Sequence, residues 1–137
     1  PAAEAARQNQ QYREVLALCD SMMSREDYPR AQQAYQMALE QWPDSLDARY
    51  GLGLALLFDQ RSAAAIPLLS TVLDAIGAQG QPAARAECLT ALGKAWWMQH
   101  DKAKALRCFS DSQALQATPE QAGWIQALRD EGVQVAD

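Results

Sequence analysis

Apolar residues recur at three- and four-residue spacing along most of this chain, the signature of helices buried on one side. Over residues 12–24 they are Tyr12, Val15, Leu16, Leu18, Cys19, Met22 and Met23. Arg25, Glu26 and Asp27 interrupt the stripe, and Asp27 is placed to cap a second helix with Pro29 in its first turn. That helix buries Ala31, Tyr35, Ala38 and Leu39 and stops at Trp42, Pro43 and Asp44. The pattern then restarts. Asp44 or Ser45 caps a helix running to about Asp59 with Leu52, Gly53 and Leu56 inward. Ser62 caps its partner, which turns Ala65, Leu69 and Val72 inward. Pro67 removes a backbone hydrogen bond inside that partner and predicts a local bend. After a loop over residues 77–81, Pro82 opens a long helix reaching Gln99, with Leu89, Leu92, Gly93 and Trp96 on one face. A sixth helix follows His100 and Asp101 and buries Ala105, Phe109 and Ser112. Pro119 opens a last helix to about Val135, striped by Trp124, Leu128 and Val135. Residues 1–11, rich in Ala and Gln and without an apolar stripe, either prolong the first helix or fray.

These helices repeat one another. Ala31, Tyr35, Ala38 and Pro43 have the same spacing as Ala65, Leu69, Val72 and Gly77, displaced by 34 residues. Ala105, Phe109, Ser112 and Ala117 follow at a displacement of 40 from the second set. Upstream of each set, Leu18-Cys19-Met22, Leu52-Gly53-Leu56 and Leu92-Gly93-Trp96 fall in register. A period near 34 residues in helix–turn–helix form marks a repeat architecture. Over residues 12–118 the chain resembles the tetratricopeptide repeat family. The family motif has a Leu-Gly pair and a large residue on the first helix, then small, aromatic and small residues and a Pro on the second. Leu52-Gly53 and Leu92-Gly93 match the pair, whereas Cys19 stands at the glycine position of the first unit. The turn position that is commonly Gly is Glu26, Gln60 or His100 here.

The resemblance implies an all-α fold, a right-handed superhelix of antiparallel hairpins forming a single domain over residues 1–137. The repeats span about residues 12–45, 46–79 and 86–119, with an insertion at 80–85 and a capping helix at 119–135. A single hairpin cannot bury its apolar face alone, so stacked neighbours supply the core and the ends need capping. Gly53 opposite Ala65, and Gly93 opposite Ala105, allow close approach of paired helices, while Tyr35, Leu69 and Phe109 fill the space between hairpins.

In this family the first helix of each hairpin lines the concave side. The register then puts Arg13, Leu16, Asp20 and Met23; Asp47, Tyr50, Leu54, Leu57 and Phe58; and Glu87, Lys94, Trp97 and Met98 toward the groove. The family's clamp for a peptide's terminal carboxylate uses Lys, Asn and Arg at such positions. Leu16, Asp20 and Gly51 stand there instead, so that clamp is absent. Met23, Tyr50, Leu54, Leu57, Phe58, Lys94, Trp97 and Met98 are the candidate partner-binding residues: an apolar, aromatic groove with acidic margins. It suits a protein or peptide segment with bulky apolar side chains and some basic ones. Aromatic and Met residues at helical spacing also serve as core, and the cap helix or the N-terminal segment could lie across them.

Composition narrows the function further. Apolar residues are 49% of 137, Gly and Pro number 7 and 6, and the formal charge is −5, with no basic stripe to hold nucleic acid. Cys19, Cys88 and Cys108 form no CxxC pair and read as buried thiols of a reducing compartment. Cys88, His100 and Cys108 lack metal-ligand spacing, no nucleophile stands beside a base, and neither a cofactor nor an enzymatic activity is expected. No apolar run is long enough for membrane insertion. A cytoplasmic location is expected. The start at Pro1 without Met suggests an excised domain, so a periplasmic or membrane-tethered placement stays open. Two function classes follow from the resemblance. One is a non-catalytic interaction scaffold, in a bacterial multiprotein assembly by the Ala/Gln/Leu-rich style of the sequence. The other is a chaperone of the type III secretion class holding an apolar client segment. Self-association through the groove or Trp124 is a further route.

Overall fold

The computed structural model describes residues 2–135. Among them are seven helices and no strand: α1 (Ala2–Ser24), α2 (Tyr28–Gln41), α3 (Leu46–Phe58), α4 (Ser62–Ile76), α5 (Pro82–Met98), α6 (Lys102–Leu115) and α7 (Pro119–Asp130). Each helix packs against the next, and α1, α3 and α5 also meet side by side. The result is three stacked hairpins, α1–α2, α3–α4 and α5–α6, closed by α7. Residues 2–11 prolong α1 and do not fray away from it. The last helix ends at Asp130, so Val135 lies outside it and is exposed.

Two of the expected helix caps differ. Ser45 does cap α3, accepting from the Ala48 amide at 3.0 Å. Asp27 stands at the N-cap of α2 but makes no side-chain cap bond; its carboxylate pairs with Arg30 at 3.5 Å. Ser62 is the first residue of α4 and Arg61 its N-cap; the Ser62 hydroxyl instead accepts from the Gln99 amide at 2.6 Å, 37 residues away. A long-range bond thus replaces the local one.

The turn inside every hairpin is the same. Glu26, Gln60 and His100 have φ of 61°, 64° and 64°, the left-handed region. In each turn the next amide reaches back across the helix end: Asp27 to Met22 at 3.0 Å, Arg61 to Leu56 at 2.8 Å, Asp101 to Trp96 at 3.0 Å. These are Schellman motifs, which satisfy the last carbonyls of a helix and ordinarily place glycine at the left-handed position.

Packing follows the repeat. Tyr35, Leu69 and Phe109 are buried at the equivalent place in each hairpin. A Cβ on Gly53 would lie 2.8 Å from Leu69 Cδ2, and one on Gly93 would lie 2.7 Å from the Phe109 ring. Gly51 serves the junction with the preceding hairpin, where a Cβ would come within 2.3 Å of the Tyr35 ring. The Tyr35 hydroxyl donates to the Asp20 carboxylate, and burial, followed by that carboxylate, pushes the phenol well above its usual range. The three apolar clusters lie at the α1–α2–α3 junction, at the α3–α4–α5 junction and between α6 and α7.

A buried polar cluster ties the cap to the third hairpin. Ser112 is fully buried; its hydroxyl donates to the Ala86 carbonyl at 2.7 Å, lies 2.8 Å from the Thr90 hydroxyl and accepts from the Gln121 amide at 2.6 Å. Gln121 Oε1 in turn accepts from the Thr118 amide at 2.7 Å, completing a capping box. Removing Ser112 Oγ strands the buried Gln121 amide, so Ser112→Ala is expected to lower stability by about 1–3 kcal/mol. Urea denaturation measures it; an unchanged midpoint would mean that the cluster holds nothing.

Candidate functional site

Residues 50–58 of α3 and 86–94 of α5 face each other across a hollow of 390 Å³, closed at one end by the start of α7. Of the predicted residues, Tyr50, Leu54, Leu57 and Phe58 from α3 and Lys94 from α5 line it together, as does Glu87. Leu57 is almost wholly buried in the central cluster, so it supports the floor and offers little surface. Phe58 is half open, its ring 5.6 Å from that of Tyr28.

The polar groups of the hollow are asymmetric. Lys94 is ion-paired with Glu120 at the first turn of α7, so the central cation is already neutralised within the chain. Glu87, two turns earlier on the same face of α5, is exposed and makes no ion pair among the described residues. Burial pushes the Tyr50 phenol above its ordinary range, and the neighbouring Glu87 carboxylate adds to the effect. Tyr50 is therefore a neutral hydroxyl at any ordinary pH. The hollow offers an apolar floor, one phenol and one unpaired carboxylate.

Three predicted residues lie elsewhere. Met23 packs against the α1–α2–α3 cluster. Trp97 and Met98 border a separate hollow at the turn end with Gln60 and His100. The Trp97 ring meets Trp124 edge-on at 5.2 Å, and Trp124 stacks on Phe109 at 5.1 Å, so the cap helix lies across this part of α5. Trp97 is still 40% exposed. Sequence reasoning does not reach Thr118, Glu120 and Gln121, which close the hollow. Their signal is the Thr118-x-x-Gln121 spacing, the signature of a capping box, which fixes where α7 begins and hence where Glu120 points.

Cys19 and Cys88 are buried and Cys108 half-buried, all as unpaired thiols. Burial pushes Cys88 and Cys108 up to about 11, keeping both protonated near neutrality. Among the described residues no group of three or more His, Cys, Asp or Glu could hold a metal ion, and no helix is long and apolar enough to cross a membrane.

The comparisons with known proteins agree with this architecture. Residues 16–82, which take in most of the first hairpin, all of the second and the following loop, match the model of a tetratricopeptide repeat. Among solved structures, the N-terminal domain of stress-induced protein-1 (STI-1) from C. elegans superposes with a TM-score of 0.72 at 16% identity. The match covers 88% of this chain and 95% of that one. At that identity the likeness speaks for the fold alone. No curated protein matches the chain in sequence. The repeat model matched over residues 16–82, the likeness in fold and the shared geometry of the three turns support a tetratricopeptide repeat protein, an architecture that serves protein–protein interaction.

Proposed function

We propose that the hollow between α3 and α5 binds a segment of a partner protein, with bulky apolar side chains against Tyr50, Leu54 and Phe58 and a basic side chain toward Glu87. The observation that carries this reading is the charge state of the site: its one cation is occupied by Glu120, and its unpaired charge is acidic. A terminal carboxylate finds no cation available there. An apolar segment with a flanking Lys or Arg finds a complementary surface. The chain acts as a non-catalytic scaffold, and a bacterial multiprotein assembly is the setting we favour.

Leu54 is half-buried at the centre of the hollow, where a carboxylate would repel an apolar segment without entering the core. Affinity capture from the source organism, followed by mass spectrometry, is expected to recover a partner with the native chain and to lose it with Leu54→Glu. Trp97→Ala, outside the hollow, is expected to retain it. Helical circular dichroism should be unchanged in both variants. Equal recovery by native and Leu54→Glu chains would place the binding surface elsewhere. Recovery of one dedicated client that is insoluble alone, in place of a stable complex, would make the chain a secretion chaperone.

A further inference from the structure

We propose that the groove between α2 and α4 is a second binding site, one that takes the indole ring of a tryptophan carried by a partner protein. Its hollow, of 670 Å³, has Leu52 and Leu56 of α3 as its floor, with Ala64 and Leu68 of α4 on one side and Gln32 and Met37 of α2 on the other. At about 3.6 residues per turn, Leu52 and Leu56 stand about 160° around α3 from Leu54. This groove and the α3–α5 hollow therefore lie on opposite sides of α3. Met37, at the rim, is 68% exposed. Both walls and the floor come from consecutive helices in the middle of the stack, so the ends of the chain do not decide that the groove is open.

The repeat itself shows what would fill it. Displacing Leu56, Ala64 and Leu68 by 40 residues, and Gln32 by 34, gives Trp96, Lys104, Cys108 and Ile66. In that next groove, between α4 and α6, Trp96 packs against the central cluster together with Ile66 and Cys108. The Lys104 ammonium lies 4.3 Å from the centre of its ring. Leu56 and Ala64 supply neither the ring nor the chain above it. The open groove thus has the form of the filled one with the indole taken out. Its polar group agrees. Where the filled groove has Ile66, the open one has Gln32, whose side-chain amide donates to the Asp59 carboxylate at 2.8 Å and to the Ala55 carbonyl at 3.4 Å. Both partners are acceptors, which fixes the orientation of the amide. Gln32 Oε1, on the other side, accepts from no donor among the described residues. Indole joins a large apolar face to a single N–H donor, the combination that an apolar floor with one free acceptor selects. Aromatic rings seated in such pockets are the anchors that carry most of the energy of a protein interface.

Titration of the whole chain with N-acetyl-tryptophanamide, followed by NMR of the Leu and Met methyls and the Gln side-chain amides, tests it. Saturable shifts are expected at Leu56, Leu68, Met37 and Gln32, with a Kd of about 1 mM for a probe of this size. The analogue methylated at the indole nitrogen has no donor for Gln32 Oε1 and is expected to bind about tenfold more weakly. Leu56→Trp builds into this groove the ring that its counterpart already holds, and is expected to abolish the shifts at Leu68 and Met37. Ala64→Trp, from an exposed position that leaves the core alone, is expected to do the same. Leu54→Glu, across α3, should leave the binding unchanged, which separates this outcome from that of the partner capture. No saturable shift up to about 10 mM, shifts confined to the α3–α5 hollow, equal binding of the methylated analogue, or undiminished binding by either filled variant would each overturn the proposal.

Discussion

Phe109→Ala is expected to destabilise the chain by about 3–5 kcal/mol, the range for deleting a buried aromatic ring. Phe109 is fully buried, with one edge against Gly93 and one face stacked on Trp124 at 5.1 Å with a 14° interplanar angle. Neither neighbour can fill the space. The backbone at Gly93 has no side chain to swing in, and Trp124 is held by the docking of α7 through Ile125 and Leu128. The cavity therefore persists, and its walls lose their dispersion contacts. The loss also reaches beyond one hairpin, since the stacked ring joins α6 to the cap helix through Trp124. Urea denaturation followed by Trp fluorescence should show an earlier midpoint for the signal of Trp124. A loss below about 1 kcal/mol would mean that the ring does not join the third hairpin to the cap.

The second large effect has the opposite sign. Replacing Glu26, Gln60 and His100 together by glycine is expected to stabilise the chain by about 2 kcal/mol. Each now holds a left-handed conformation that costs an L-residue about 1–2 kcal/mol, while glycine adopts it freely but loses more entropy on folding, about 0.5–1 kcal/mol. The net gain is under 1 kcal/mol or so at each site. The three turns belong to different hairpins, but Gln60 and His100 border one hollow, so the gain at Glu26 should add fully while those at Gln60 and His100 can couple. Thermal unfolding of the three single variants and the triple measures both the gain and its additivity. A triple variant no more stable than the native chain would show that these side chains are held there by interactions that outweigh the strain.

Much of this was legible before any coordinates. The positions spaced as Ala31, Tyr35 and Ala38 are buried in all three hairpins because a stack of equivalent helices repeats its contacts. The same register singles out Glu26, Gln60 and His100 as the turn positions, and one backbone geometry then follows for all three. Legibility fails where a contact is long-range or specific to the end of the array. Ser62 looks like a cap because its neighbourhood in sequence offers no rival; the rival is Gln99, brought up by the next hairpin. Trp97 looks groove-facing because a helical wheel has no knowledge of Trp124. Lys94 reads as an available cation because Glu120 comes from a helix outside the repeat. The hollow's residues on α3 could be listed from periodicity, but its closed end could not, since α7 breaks the repeat.

The uneven burial along the stack sets how the molecule comes apart. Helix α5 buries seven residues and α3 six, whereas α1 buries Cys19 alone among the described residues. In a linear array each unit is stabilised by its own interior and its immediate neighbours, so local stability falls toward the weakly supported end. Opening then begins at the first hairpin and proceeds inward, and backbone amides of α1 exchange with solvent long before those of α5. A single free energy of unfolding would average over that gradient and describe neither end.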